Sequence, residues 1–180
     1  MKWTRAIFYF FLACAILFAD AAVKAYAHYR IPPMFLSSSA YPFGGIPVFH
    51  NWHGIDFAIT HVANKGAAWG IFASLHDYLL YFRILIIGGL LSYLVFAKTS
   101  PFRKLCMLLI AVGAIGNVLD TFIYGHVVDM FYVILWGYSY PVFNLADATI
   151  FCGVVLLLLE ALLSKLKAGK SEKKNVRGSA

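Results

Sequence analysis

Residues 78–97 read YLLYFRILIIGGLLSYLVFA, an unbroken apolar run with a single charge, Arg83. A bilayer core about 30 Å thick is crossed by roughly 20 residues of helix, and only helices or closed barrels satisfy the backbone in lipid. The run therefore reads as a membrane-spanning helix. Three further segments fit around it, residues 6–27, 104–119 and 142–163, of which 104–119 is short for a span.

Composition points the same way. Of 180 residues, 62% are hydrophobic and 13% charged, with a mean hydropathy of +0.77, whereas a soluble domain carries about 25% charged residues. So few charges cannot supply a polar shell around one core. The net charge of +7 would suit nucleic acid, but 11 of the 15 Lys and Arg fall in three runs: Lys2 and Arg5; Lys98, Arg103 and Lys104; and Lys165, Lys167, Lys170, Lys173, Lys174 and Arg177. Each run flanks an apolar segment, the pattern of a topology signal, so no nucleic-acid partner is expected. With the amino terminus in the cytoplasm, four crossings put all three runs on that side.

The expected architecture is an all-α membrane protein with four transmembrane helices and both termini cytoplasmic. Residues 1–164 form the membrane domain, and 165–180 form a basic, disordered cytoplasmic tail whose charge favours anionic lipids. The connection over 29–77 is punctuated by Pro32, Pro33, Pro42, Gly44, Gly45 and Pro47. Ile55, Phe57 and Ile59 alternate there with Asp56, Ala58 and Thr60, the period of a half-buried strand. A small extracytoplasmic β-sheet platform after the first helix follows. Residues 1–27 imitate a secretory signal peptide, but Asp20 and Lys24 sit badly beside the would-be cleavage site at Ala25-Tyr26-Ala27, so they are assigned to the first span. Cys14, Cys106 and Cys152 give no disulfide or zinc pattern. His50 and His53 lack further ligands specified by spacing.

Ionisable groups within spans are expensive, and each is a functional hypothesis. Asp20 and Lys24 stand four apart, acid before base, the favourable order for a pair on one helix face. Arg83 and Glu160 lie near helix ends, where snorkelling or pairing accounts for them. The acids Asp120, Asp129 and Asp147 are less easily dismissed. Asn117 precedes Asp120 by three residues, and Asn144 precedes Asp147 by three, while Asp129 sits among apolar neighbours on what reads as the intervening loop. Two carboxylates within hydrogen-bonding reach share a proton, so that one is a base and the other an acid at the same pH. Such a pair can activate water against an amide carbonyl and protonate the leaving nitrogen. From spacing alone a polar staple of helix ends, or a proton relay in a small ion-coupled transporter, stands beside catalysis. A noncatalytic assembly factor binding through 29–77 is a further alternative.

Four stretches carry a resemblance: Asn64-Lys65-Gly66-Ala67-Ala68-Trp69-Gly70, Gly116-Asn117-Val118-Leu119-Asp120, Val127-Val128-Asp129 and Phe143-Asn144-Leu145-Ala146-Asp147. In this order and spacing, with Asp20 and Lys24 fitting a first motif, they resemble the lipoprotein signal peptidases (signal peptidase II) over residues 20–163. The resemblance implies an aspartic endopeptidase of the bacterial cytoplasmic (inner) membrane. It would cleave diacylglyceryl-modified prolipoproteins just before the lipidated cysteine, at the extracytoplasmic face, as a monomer. It implies Asp129 and Asp147 as the catalytic dyad, with Asn64, Gly66, Asn117, Asp120 and Asn144 in support. Asp20 and Lys24 would hold the first helix against the site, and the sheet would cradle the substrate. No metal or organic cofactor is implied. The chain departs from the family pattern at Thr121, where an Arg is usual, at Ala21 and Val23, where Gln and Thr are customary, and at Trp69, usually Phe.

Overall fold

The computed structural model describes residues 2–37, 40–66 and 76–178. Four long helices, α1 (Lys2–Arg30), α2 (His76–Phe96), α3 (Pro101–Tyr124) and α4 (Leu145–Gly178), alternate in direction. All four are long and apolar enough to span a bilayer. Their exposed faces carry large apolar side chains, among them Phe8, Phe11, Phe18, Leu85, Phe96 and Leu158, as an environment of lipid tails requires. Polar contacts fix both ends of the bundle. At one end the Tyr9 hydroxyl donates to the Pro101 carbonyl, and Arg103 grips Glu160 through Nε and Nη2 at 3.0 and 2.7 Å. Glu160 is thus paired with Arg103 of the neighbouring helix.

The third span is longer than the hydropathy suggests. Ser100 caps its start by accepting the Arg103 N–H, Pro101 occupies its first turn, and Gly125 ends it at φ 74°, donating to the Thr121 carbonyl. The helix runs through Asn117, Asp120 and Thr121 because all three are buried against protein, where lipid imposes no penalty on polarity. The fourth helix also differs from expectation. It continues through the basic segment to Gly178, a stretch with five Lys, a good helix former.

Both long connections build one antiparallel sheet in the order β1 (Ile46–Trp52), β2 (Ile55–Asn64), β3 (Val127–Leu135), β4 (Tyr138–Ser139). Residues 127–135, read from sequence as loop, are therefore a central strand. Two tight turns set the hairpins: His53 and Gly54 at φ 52° and 81°, and Trp136 and Gly137 at φ 48° and 83°. Paired positive φ values match the right-handed twist of the flanking strands. On β2 the strand forms where the alternation places it, but the deeper face is that of Ala58 and Thr60, both fully buried. Phe57 points the other way, into a ring cluster with Phe49 and Phe131.

The sheet is welded to the bundle by Ala27 of α1 and Ile31 just after it, against Val128 and Met130 of β3. Register then does the positioning. Val62 pairs with Asp129 and Asn64 with Val127, which brings Asn64 alongside Asp129 from 65 residues away.

Candidate active site

The bundle is inside out at the sheet end. Lys24, at 0% exposure, is the largest fully buried side chain, and Asp20, Asp120, Asn117, Asn144 and Asp129 are buried with it. A buried ammonium must place all of its protons. Lys24 Nζ reaches Asp20 Oδ2 at 2.7 Å, Asp120 Oδ2 at 2.8 Å and Asn117 Oδ1 at 3.1 Å. The carboxylates are held further: Asp20 Oδ1 accepts the Ala146 N–H at 2.9 Å, and Asp120 Oδ2, besides Lys24, accepts the Val128 N–H at 3.1 Å. One cation thereby ties α1 to α3, to the start of α4 and to β3. Gly116 makes room for this, since a Cβ there would lie 2.8 Å from Asp20 Oδ2.

From Asn117 the network branches to two more acids. Its Nδ2 donates to Asp147 Oδ1 at 2.7 Å, while its Oδ1 also accepts from Asn144 Nδ2 at 3.0 Å. Asn144 stands immediately before α4 and caps it: its Oδ1 accepts the Asp147 N–H at 2.8 Å, and Asp147 Oδ2 accepts the Asn144 N–H at 3.3 Å. This is the reciprocal geometry of a capping box. The Asn-x-x-Asp spacing at 144–147 therefore marks a helix start, with Asp147 in the first turn, and not two positions on one helical face. Asn144 Nδ2 also donates to Asp129 Oδ1 at 2.7 Å. Asn64 Nδ2 donates to Asp129 Oδ2 at 2.9 Å, its own orientation fixed by the Gly66 N–H at 2.9 Å.

Asp129 and Asp147 line one cleft of about 240 Å³, with Asn64, Gly66, Arg83, Asn117, Tyr140 and Phe143 also on its walls. Burial, and after it the charge of Asp147, pushes the Asp129 carboxyl up to about 7 against the donors Asn64 and Asn144. Asp147 remains partly exposed toward the cleft. A second, apolar groove of about 370 Å³ abuts the same Asp147, walled by Val133, Leu135, Phe143, Ala148, Phe151 and Cys152.

A sequence model of the family described as signal peptidase (SPase) II matches residues 12–163. The chain belongs to the signal peptidase II family. This member is thereby a peptidase, a hydrolase of peptide bonds, which sets aside the transporter and assembly-factor alternatives. Its relatives include the lipoprotein signal peptidases of Chlamydia pneumoniae, 40% identical over 111 residues, and of Syntrophomonas wolfei, 40% identical over 117 residues. Those matches cover 61% and 65% of this chain and 66% and 73% of the relatives. Two solved bacterial membrane enzyme structures share its fold at 25% identity. One has a TM-score of 0.71 and covers 87% of this chain and 88% of its own; the other has a TM-score of 0.68 and covers 86% and 92%.

All nine residues singled out from the sequence, Asp20, Lys24, Asn64, Gly66, Asn117, Asp120, Asp129, Asn144 and Asp147, fall within one connected set in this signal peptidase II. Asp120 turns from the cleft toward Lys24 and the Val128 N–H, a bracing position. Thr121, at the family's usual Arg position, donates its hydroxyl to the Asn117 carbonyl at 3.3 Å. Trp69 lies outside the described residues. Two cleft residues escaped the sequence reading. Arg83 was assigned to headgroup snorkelling because nothing in a lone Arg near a helix end distinguishes lipid from cleft. Tyr140 carried no motif at all; its proximity to the β3–β4 turn is the one signal that places it beside Asp129.

Proposed function

We propose that this protein is an aspartic endopeptidase that removes the signal peptide from diacylglyceryl-modified prolipoproteins, cutting just before the lipidated cysteine. The observation that carries the reading is the pair of acids on one cleft wall, Asp129 and Asp147, each held by amide donors and one raised toward neutrality. Protonated Asp129 donates to the scissile carbonyl while ionised Asp147 takes a proton from water as its oxygen bonds to the carbonyl carbon. The resulting gem-diol collapses as the C–N bond breaks: Asp147 passes its proton to the leaving nitrogen, and ionised Asp129 takes one back from a gem-diol hydroxyl, which restores the dyad. Asn64, Asn117 and Asn144 aim the two carboxyls, and Lys24, anchored to Asp20 and Asp120, aims Asn117.

Two features favour a lipidated substrate. The apolar groove beginning at Asp147 and passing Phe151 and Cys152 suits acyl chains next to the reacting bond. Basic residues gather at the Arg103 end of the bundle, which the positive-inside rule assigns to the cytoplasm, so the cleft belongs at the extracytoplasmic face of the bacterial cytoplasmic membrane. An anchored prolipoprotein presents its scissile bond at that depth. One chain supplies the whole cleft, in keeping with action as a monomer among membrane lipids.

Purified protein given lipid-modified and unmodified forms of one prolipoprotein is expected to cut the lipidated form, and Asp129→Asn and Asp147→Asn to fold without cleaving it. Full activity in either variant removes that acid from the chemistry.

A further inference from the structure

Three histidines that the catalytic network does not use come together behind the sheet. His28 lies near the end of α1, His61 is on β2, and His126 is in the turn between α3 and β3. One ring nitrogen from each lies within 4.8 Å of the other two. Ring centroids are 5.2 Å apart for His28 and His61 and 5.8 Å apart for His28 and His126, and the Tyr124 ring packs on His28 at 4.5 Å.

Each of these rings has a buried nitrogen with no hydrogen-bond partner among the described residues: Nδ1 of His28, Nε2 of His61 and Nε2 of His126. Orphaned buried polar atoms are rare, and three in one place call for an explanation. His61, at 5% exposure, has Nδ1 3.1 Å from the Ile31 carbonyl oxygen. A carbonyl can only accept, so Nδ1 carries the proton and Nε2 presents a lone pair. The His126 Nε2 is likewise buried without a partner among the described residues. A backbone carbonyl on the far nitrogen is the outer-shell arrangement that orients imidazole ligands on metals. An open cavity of about 520 Å³, lined by Met34, Phe35, Ser37 and Phe43, borders His61 from outside.

We propose that His28, His61 and His126 form a binding site for a divalent first-row transition metal ion, of the kind Zn²⁺ represents, that pins α1, β2 and the start of β3 together. Tetrahedral zinc at about 2.1 Å from nitrogen places its ligands roughly 3.4 Å apart. Closing from 4.8 Å is within the reach of side-chain torsions. Three imidazoles leave one coordination position for water. The location gives the ion a purpose. His28 follows Lys24 by one helical turn, His61 precedes Asn64 by three residues, and His126 precedes Asp129 by three. The ion would therefore clamp the three elements that carry the bracing cation, an aiming amide and a reacting acid.

The test uses the full chain in detergent, stripped with chelator and dialysed against Zn²⁺, with bound metal measured by mass spectrometry. Co²⁺ loading gives an independent reading through its visible absorption. The expected result is about one ion per chain, a four-coordinate Co²⁺ spectrum and a rise in thermal midpoint on adding Zn²⁺. His28→Ala and His126→Ala should each weaken binding at least about tenfold and abolish the thermal shift. His28→Gln guards against a folding failure, since His28 is only half buried. Zinc retained equally by wild type and a folded His28→Gln/His126→Gln double variant, or no zinc retained by wild type, overturns the proposal. Because bound metal is read directly, neither outcome depends on peptidase activity.

Discussion

Lys24 has three ammonium protons, and oxygens of Asp20, Asp120 and Asn117 receive them in a site closed to solvent. Its removal would leave two buried carboxylates facing each other without a counter-ion. Lys24→Met is accordingly expected to cost ~3–5 kcal/mol of stability, measured by denaturant unfolding in detergent, and to abolish cleavage. A loss below ~1 kcal/mol would mean that water replaces the ammonium. Asp129 is the opposite case, an acid the fold makes uncomfortable. Its carboxyl is raised from 3.8 to about 7, so the folded chain binds the proton more tightly than the unfolded chain. The sign follows: the contribution of Asp129 to stability is fully present below about pH 4 and is lost as pH rises to about 7. Asp129→Asn lacks this slope, so its stability relative to wild type should improve by ~3 kcal/mol between pH 5 and pH 8. Equal slopes for the two proteins would show that Asp129 titrates normally. Wild-type cleavage should also fall as pH climbs past about 7, where the acid of the dyad loses its proton. Asp129 and Asp147 were legible in the sequence because an acid among apolar neighbours has few bland explanations. Arg83 and the three histidines were not, since residues 28, 61 and 126 share no local spacing and meet only through strand register.

At the scale of elements, hydropathy located all four helices but misjudged their ends. Its threshold stops where polar residues begin, and α3 continues through Asn117, Asp120 and Thr121 because its partners there are α1, α4 and β3 instead of lipid. Residues 127–135 were hidden for a related reason. Their run VVDMFYVIL has no alternation, as befits a strand covered on both faces, and periodicity cannot separate such a run from loop or buried helix. The closeness of α3 and α4 depends on glycine. A Cβ on Gly153 would lie 2.9 Å from the Cys106 carbonyl oxygen, and one on Gly113 would collide with the Ala146 carbonyl. Gly113→Val should force the helices apart, costing ~1–3 kcal/mol and shifting the start of α4 that carries Asp147. Gly88→Ala on α2, where an added Cβ would meet nothing from the rest of the described structure within 4 Å, is the matched control and should be neutral or slightly stabilising. Thermal unfolding and cleavage rate of the two variants side by side give the answer, and similar losses in both would deny that α3–α4 contact sets the site.

The whole molecule joins a polar interior to a lipid-facing exterior by gathering its buried polar network at the sheet end of the bundle. The network from Lys24 to Asp129 and Asp147 sits where the sheet roofs the helices, whereas the flanks are Phe, Leu and Tyr. A substrate already embedded in the bilayer can then reach the cleft sideways, without its acyl chains crossing water. The apolar groove along α4 abuts Asp147, so under the proposed function it should govern how well lipidated substrate binds more than how fast bound substrate reacts. Cys152 is exposed in that groove and lies more than one helical turn beyond Asp147, outside the hydrogen-bonded network. Cys152→Trp should fill the groove while leaving the fold intact, raising KM for lipidated prolipoprotein by about tenfold, roughly 1.4 kcal/mol, with kcat changed little. Cys152→Ser should behave as wild type, which separates loss of space from loss of the thiol. An unchanged KM in a folded Cys152→Trp variant would place the acyl chains elsewhere, and a collapse of kcat alone would mean that the bulky ring had displaced Asp147 and not the lipid.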